Sequence, residues 1–309
     1  MSLEGVLPVW KPVDFTSHDV VAKVRRIVGV KRIGHTGTLD PKVTGVLPLC
    51  IGRATRVVEY IQDLPKQYEA TLTVGYSTDT EDATGQVIAE AEHVQVTAEQ
   101  VERAIRSFVG VISQVPPMYS AVKVDGKRLY ELARQGKEVE RKARRVEIYG
   151  IDLLSVDLQK RYPEIKFRVD CSKGTYIRTL CTDIGTALGY PAVMSNLIRT
   201  ATGSMTREQC LTLEEVERLA KEGMLQLKLI DTAAAIPHVP ALYVSMKEAA
   251  DALQGKKVRL SGPPAAAPAD HLFRLFAPDE TFLGIFRYEP ETGIIRPEKV
   301  FSEAGKSSE

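Results

Sequence analysis

Apolar and polar residues alternate through Ala70, Leu72, Val74 and Tyr76, and again through Ile165, Phe167, Val169 and Cys171. A period of two belongs to strands with one face in a core and the other in water. Amphipathic helices with readable starts lie around these strands. Val20, Val21, Val24, Ile27 and Val28 recur at helical spacing behind Ser17, the predicted N-cap, and Gly29 is placed to stop that helix. Thr97 with Gln100, and Thr212 with Glu215, form capping boxes. A further helix carries Ile177, Leu180, Cys181, Ile184 and Leu188. Residues 33–49, rich in Gly, Thr and Pro, read as a loop with short strands at its sides. Strands and helices thus mix without a regular βαβ repeat. The predicted class is α+β, with a mixed, largely antiparallel sheet.

A chain of 309 residues fits one large domain and one small one. The pattern breaks near Asp231–Pro240, where Ala233, Ala234 and Ala235 sit among prolines. Beyond it, Leu272–Phe276, Phe282–Tyr288 and Ile294–Phe301 read as short strands, and Ser261–Asp270 as a flexible Pro/Ala loop. The predicted division is 1–235 and 236–309, the second part a small β-barrel-like domain.

Several classes are disfavoured. No run approaches the ~18 apolar residues of a membrane helix. Glu4, Trp10, Lys11 and Asp14 interrupt any secretory pattern at the start. Cys50, Cys171, Cys181 and Cys210 make no CxxC pair and the five histidines are scattered, so neither a metal site nor a disulfide framework is expected. This reads as a cytoplasmic protein with reduced thiols. Phosphate-cradling glycine loops of the GxGxxG and GxxxxGK[ST] types are missing, which speaks against nucleotide cofactors. Net charge is only +1, but local charge is uneven. Residues 20–39 hold five cations and no acid; residues 121–145 hold nine cations against four acids. Such stretches serve either as phosphate-binding surfaces or as solvated helix faces.

Asp40 stands out in the loop. Gly34 and Gly37 permit a close approach of backbone or ligand, and Pro41 pushes Asp40 towards extended geometry. A carboxylate held this way suits a nucleophile or base. An Asx-turn explains the same residues.

The run Gly34-His35-Thr36-Gly37-Thr38-Leu39-Asp40-Pro41-Lys42-Val43-Thr44-Gly45-Val46-Leu47-Pro48 resembles the catalytic motif of the TruB family of tRNA pseudouridine-55 synthases. Three more runs resemble that family in the same order. They are Lys11-Pro12 with Thr16-Ser17, residues 115–134 around Tyr119-Ser120-Ala121, and Lys173-Gly174-Thr175-Tyr176-Ile177-Arg178-Thr179-Leu180. The likeness is strong over about residues 3–235. The remainder resembles, more loosely, the small PUA-like RNA-binding domain of bacterial members. Trp10 and Asp14 depart from the polar residue and glycine commoner in the family, and Lys42-Val43 from an apolar-alanine pair.

The resemblance implies a pseudouridine synthase fold without metal or organic cofactor, acting on the tRNA T arm. With no interface signal in the sequence, a monomer is expected. It implies that Asp40 is the nucleophile, that Arg178 pairs with it through a bidentate contact, and that Tyr68 stacks on the extruded base. Tyr176 and Leu197 would line the pocket, Lys11 would be a pocket or structural lysine, and His35 would fill the stack vacated in the RNA loop. Segment 121–145 matches an insertion that grips the tRNA arm, making Lys123, Lys127, Arg128, Arg141, Lys142, Arg144 and Arg145 candidate phosphate contacts, with Lys23, Arg25, Arg26 and Arg32 weaker ones. Two other readings stay open: a guide-RNA-dependent enzyme acting on ribosomal RNA, against which that insertion argues, and a tRNA-folding chaperone with incidental catalysis. Attack on the ribose, attack on the base and a glycal route are equally open.

Overall fold

The computed structural model describes residues 3–124, 126–262, 264 and 271–301. Among these, a nine-stranded sheet runs in the order Gly5–Lys11, Thr44–Ile51, Ala192–Thr202, Lys66–Val74, Glu164–Cys171, Arg144–Asp157, Gly110–Gln114. Ile33–His35 pairs alongside Thr44–Ile51, and Met205–Thr206 alongside Ala192–Thr202. Every pairing is antiparallel except that of Ala192–Thr202 with Thr44–Ile51.

Each half of the sheet buries its apolar face under helices. Leu72, Ile165, Phe167 and Val169 pack beneath Ile177–Leu188 and Ala98–Arg106, through Leu180, Ile184, Val101 and Ile105. Leu7, Val9, Leu47 and Leu49 pack beneath Ser17–Val28 and Leu213–Lys221, through Val20, Val24 and Val216. The site described below lies near the parallel junction, where the two halves meet.

The structure corrects the local reading in three places. The N-cap of the first helix is Thr16, one residue earlier than predicted. Its hydroxyl accepts the Asp19 N–H at 3.0 Å, and Asp19 returns a bond to the Thr16 N–H at 2.9 Å. Ser17 is committed elsewhere, as its hydroxyl accepts the Leu39 N–H at 2.9 Å. Second, Tyr76 does not continue the strand of Ala70. Gly75 at φ +124° breaks it, and Tyr76–Thr78 pairs instead with Val87–Glu90. Third, the loop of residues 33–49 is shorter than predicted, because Thr44–Ile51 is a full strand. Gly29, at φ +67°, ends the first helix as expected, and both predicted capping boxes form.

A second sheet of five strands follows in the order Ala241–Tyr243, Leu272–Phe276, Phe282–Glu289, Ile294–Val300, Val258–Arg259. Helix Met246–Leu253 packs Ala249 and Ala252 into its core beside Phe273 and Phe286. The other side of this sheet places Leu272, Ile285 and Phe301 in one apolar cluster with Val6, Val46 and Ile61 of the larger part. The predicted Ser261–Asp270 loop lies largely outside the described residues. No described helix is long and apolar enough to cross a membrane.

Candidate active site

Asp40 sits in the turn between Ile33–His35 and Thr44–Ile51, and that turn is fastened from several sides. Leu39 is buried in the core cluster that also takes Leu197 and the flank of Tyr68. Thr36 is buried, with its hydroxyl donating to the Pro48 carbonyl at 3.3 Å. The Val43 N–H bonds the Asp40 carbonyl at 3.0 Å. Beneath the turn, the fully buried Lys11 donates to the carbonyls of Pro12 at 2.9 Å, Pro41 at 3.1 Å and Val43 at 2.6 Å. Buried carbonyls need donors, and one ammonium supplies three bonds that tie the residues just after Asp40 to Pro12. Burial lowers the Lys11 pKa to about 8, against the opposing pull of Asp40 and Asp14.

The departures at Asp14 and Lys42 meet each other. Asp14 adopts φ +66°, a left-handed conformation that favours glycine but that aspartate tolerates better than most residues. Its N–H bonds the Pro41 carbonyl at 2.9 Å, and its carboxylate pairs with Lys42 at 2.5 Å. Trp10, the other departure, lies under the Arg207 guanidinium at 4.0 Å.

The Asp40 carboxylate lies 3.2 Å from Arg178. The arginine side chain is 7% exposed and the aspartate 41%, so an anchored cation presents an accessible carboxylate. The contact is single rather than the predicted fork. The guanidinium donates its remaining bonds to the Tyr119 carbonyl at 2.8 Å and the Thr80 carbonyl at 3.1 Å. Arg178 stands at the start of helix Ile177–Leu188, so the motif runs at 34–48, 115–134 and 173–180 converge on one side chain.

Tyr68, on Lys66–Val74, is half-buried beside Leu39. Burial raises its pKa, and the Arg199 guanidinium opposes that rise. Leu197 pairs across the strands with Ala70 and is buried. Tyr176 caps the helix of Arg178, and Gln114 clamps it. The Gln114 side chain accepts the Tyr176 N–H at 3.0 Å and donates to its carbonyl at 3.2 Å. His35 is half-buried and accepts from the Gly37 N–H at 3.4 Å. Its ring meets that of the exposed His18 edge-on, with centroids 5.2 Å apart. Burial first, then His18, lowers its pKa. Arg199 and Gln114 are contributors the sequence did not disclose, and Ser17 serves the Leu39 backbone rather than the helix cap expected of it.

The basic segment is built differently. Lys123 and Arg128 sit exposed on the two-residue strands Lys123–Val124 and Lys127–Arg128. Arg128 donates to the Tyr130 hydroxyl at 3.0 Å. Lys142, Arg144 and Arg145 are exposed, the last two at the start of the Arg144–Asp157 strand. Arg141 is the exception: half-buried, it donates to the Pro116 carbonyl at 3.1 Å, and so helps hold the segment down. Among the weaker candidates, Arg25 bonds the Lys31 carbonyl at 3.0 Å. Among the described residues, no three His, Cys, Asp or Glu side chains group to hold a metal.

Known proteins share this arrangement of sequence and fold. The family described as "TruB family pseudouridylate synthase (N terminal domain)" matches residues 25–177, and "tRNA pseudouridylate synthase B C-terminal domain" matches residues 178–232. The "tRNA pseudouridine synthase B" of Geobacillus thermodenitrificans is 47% identical over 305 residues, covering 97% of this chain and 100% of that protein. That of Halalkalibacterium halodurans is 44% identical over 306 residues, covering 98% and 99%. Among solved structures, an archaeal box H/ACA sRNP Nop10-Cbf5 complex superposes with a TM-score of 0.73 at 25% identity, over 97% of this chain and 86% of that one. With two family matches and full-length relatives in agreement, the chain belongs to the TruB family of pseudouridylate synthases.

Proposed function

We propose that the chain isomerises uridine 55 in the T loop of tRNA to pseudouridine, with Asp40 as nucleophile. The observation that carries this reading is the accessible Asp40 carboxylate beside the buried Arg178. Full-length relatives named tRNA pseudouridine synthase B support tRNA as the substrate. In one balanced route, a carboxylate oxygen bonds to the ribose C1′ as the C1′–N1 bond breaks, and the electron pair stays on the uracil. The base turns, C5 bonds to C1′, and the carboxylate is released. C5 then loses its proton and N1 gains one. The reaction is redox-neutral and transfers no external group, so it calls for no redox or carrier cofactor. Arg178 orients the carboxylate, Tyr68 stacks on the extruded base, and Tyr176 and Leu197 bound the pocket.

A uracil inside a folded loop must first be unstacked, at a cost of a few kcal/mol. His35, at the rim of the same loop, fills the vacated stack, while Lys123, Arg128, Lys142, Arg144 and Arg145 hold the arm through its phosphates. Residues 236–309 add a PUA-like RNA-binding unit. The protein works as a cytoplasmic monomer and assists tRNA folding as it binds. The test is tritium release from 5-tritiated uridine in a T-arm transcript, with the converted position mapped. Release from one uridine of the T loop, mapped to position 55, is expected; no release, or release mapped elsewhere, rejects the proposal.

A further inference from the structure

Arg199 is one of the largest fully buried side chains, at 2% exposure, and among the described residues it forms no ion pair. A buried guanidinium without a carboxylate is costly to keep, and fixed polar partners must hold it. Its strand, Ala192–Thr202, stands between the two strands that frame the site. Arg199 lies opposite Tyr68 on one side and opposite Gly45 on the other. At Gly45 the strands approach so closely that a Cβ would come within 2.2 Å of the Arg199 carbonyl oxygen, at a φ of +129°. The side chain then turns under the Asp40 loop. Its Nε donates to the Val46 carbonyl at 2.7 Å, and an Nη donates to the Gly37 carbonyl at 3.4 Å. The same guanidinium faces the Tyr68 hydroxyl. One planar cation therefore bonds to the loop that carries Asp40 and to the strand that follows it, and its charge reaches the phenol beside them.

We infer that Arg199 is a positioning residue for the isomerisation: it sets the Asp40 loop and the Tyr68 phenol at a fixed separation and keeps an unneutralised positive charge beneath the stacked base. The inference rests on the proposed pseudouridylation by Asp40. It assigns Arg199 no contact with RNA, because the side chain is shielded from solvent. A purely structural arginine would tie the strands together and would affect melting and activity alike. A positioning arginine affects the chemical step while leaving the outer RNA grip alone.

The test compares Arg199→Lys and Arg199→Met with the unmodified chain on a tRNA transcript. Single-turnover conversion at saturating protein, the transcript Kd and the melting temperature are measured for each. Arg199→Met is expected to slow conversion by about 10²-fold, the scale of a small misplacement of reacting groups, with Kd and melting near those of the unmodified chain. Arg199→Lys, which keeps the charge but not the fork, is expected to recover about tenfold of that loss. If Arg199→Met fails to fold, Arg199→Lys decides: slower conversion at unchanged Kd and melting supports the inference. Conversion at the unmodified rate, or a loss matched by a fall in melting, overturns it. Failure of the unmodified chain to convert any uridine rejects the functional reading and the inference together. Conversion by the unmodified chain alongside indifferent Arg199 variants rejects the inference alone.

Discussion

The Asp40 loop and segment 121–145 are both surrounded by cations, yet they use them in opposite ways. Around Asp40, Lys11, Arg178 and Arg199 are buried and aim chiefly at backbone carbonyls. Across 121–145, Lys123, Arg128, Lys142, Arg144 and Arg145 point into solvent. A buried cation acts through geometry: its partners have no water to replace it, so one substitution disturbs the whole constellation. An exposed cation acts through long-range attraction and counter-ion release, so its effects are graded and add up. In the proposed reaction, the first region decides whether the bond exchange happens, and the second how long the RNA stays.

Four experiments sharpen or break that contrast. The largest effect is expected from Asp40→Asn, with conversion lost by at least about 10³-fold while transcript Kd holds; measurable pseudouridine in the T loop made by this variant refutes Asp40 as nucleophile. Lys11 comes next. Below a pH of about 8 it is protonated and donates to three carbonyls. Above that pH it loses a proton, and with it one of the three donors. The single-turnover rate is expected to fall as pH rises through about 8, and Lys11→Met to lower it by about 10²-fold at neutral pH. A flat pH profile in Lys11→Met alongside a falling one in the unmodified chain assigns the limb to Lys11; the same limb in both denies it.

Smaller and graded is the expected result of changing Lys123, Lys142, Arg144 and Arg145 to Gln. Kd should weaken by about tenfold at moderate salt and its salt dependence flatten by up to about 0.9 per lost contact, with the saturated rate intact. An unchanged salt slope removes these residues from the RNA surface. Arg141→Gln belongs apart, because it frees the Pro116 carbonyl and should act by loosening the segment. The smallest change is expected from His35→Ala, about three- to tenfold on folded tRNA and less on a transcript whose T loop is already open, as unstacking costs only a few kcal/mol. Equal losses on both substrates would show that His35 does not fill the opened loop.

What could be read in the sequence depended on whether the signal was local. Alternation at 165–171 gave its strand, and Thr97-Gln100 and Thr212-Glu215 gave helix starts, because side chains and backbone interact within one turn. Asp40 and Arg178 were legible through the ordered motif runs. The single contact between them was not, since the Tyr119 and Thr80 carbonyls that occupy the rest of the fork come from distant segments. Ser17 shows the same limit. It suits an N-cap by type, but its partner is Leu39, across the fold. Arg199 left no trace at all, because an arginine among Leu197, Ile198 and Thr200 gives no sign of being buried. The strands Ala241–Tyr243 and Val258–Arg259 are too short to show a period.

The outermost strand of the large sheet has a further consequence. Gly5–Lys11 pairs on its inner side with Thr44–Ile51, but its outer edge bonds to Leu211 and Ile230, through Trp10 N–H at 2.9 Å and Val6 N–H at 2.9 Å. On a ribosome, Ile230 is made more than two hundred residues after Val6, a delay of tens of seconds at about 5–20 residues per second. Until Leu211 and then Ile230 are made, the strand bearing Lys11 lacks its full outer pairing, and sequence-distant pairings of this kind are slow to close. Nascent chains interrupted before that point leave the strand beneath the Asp40 turn secured on one side only, so catalytic competence arrives with the last third of synthesis.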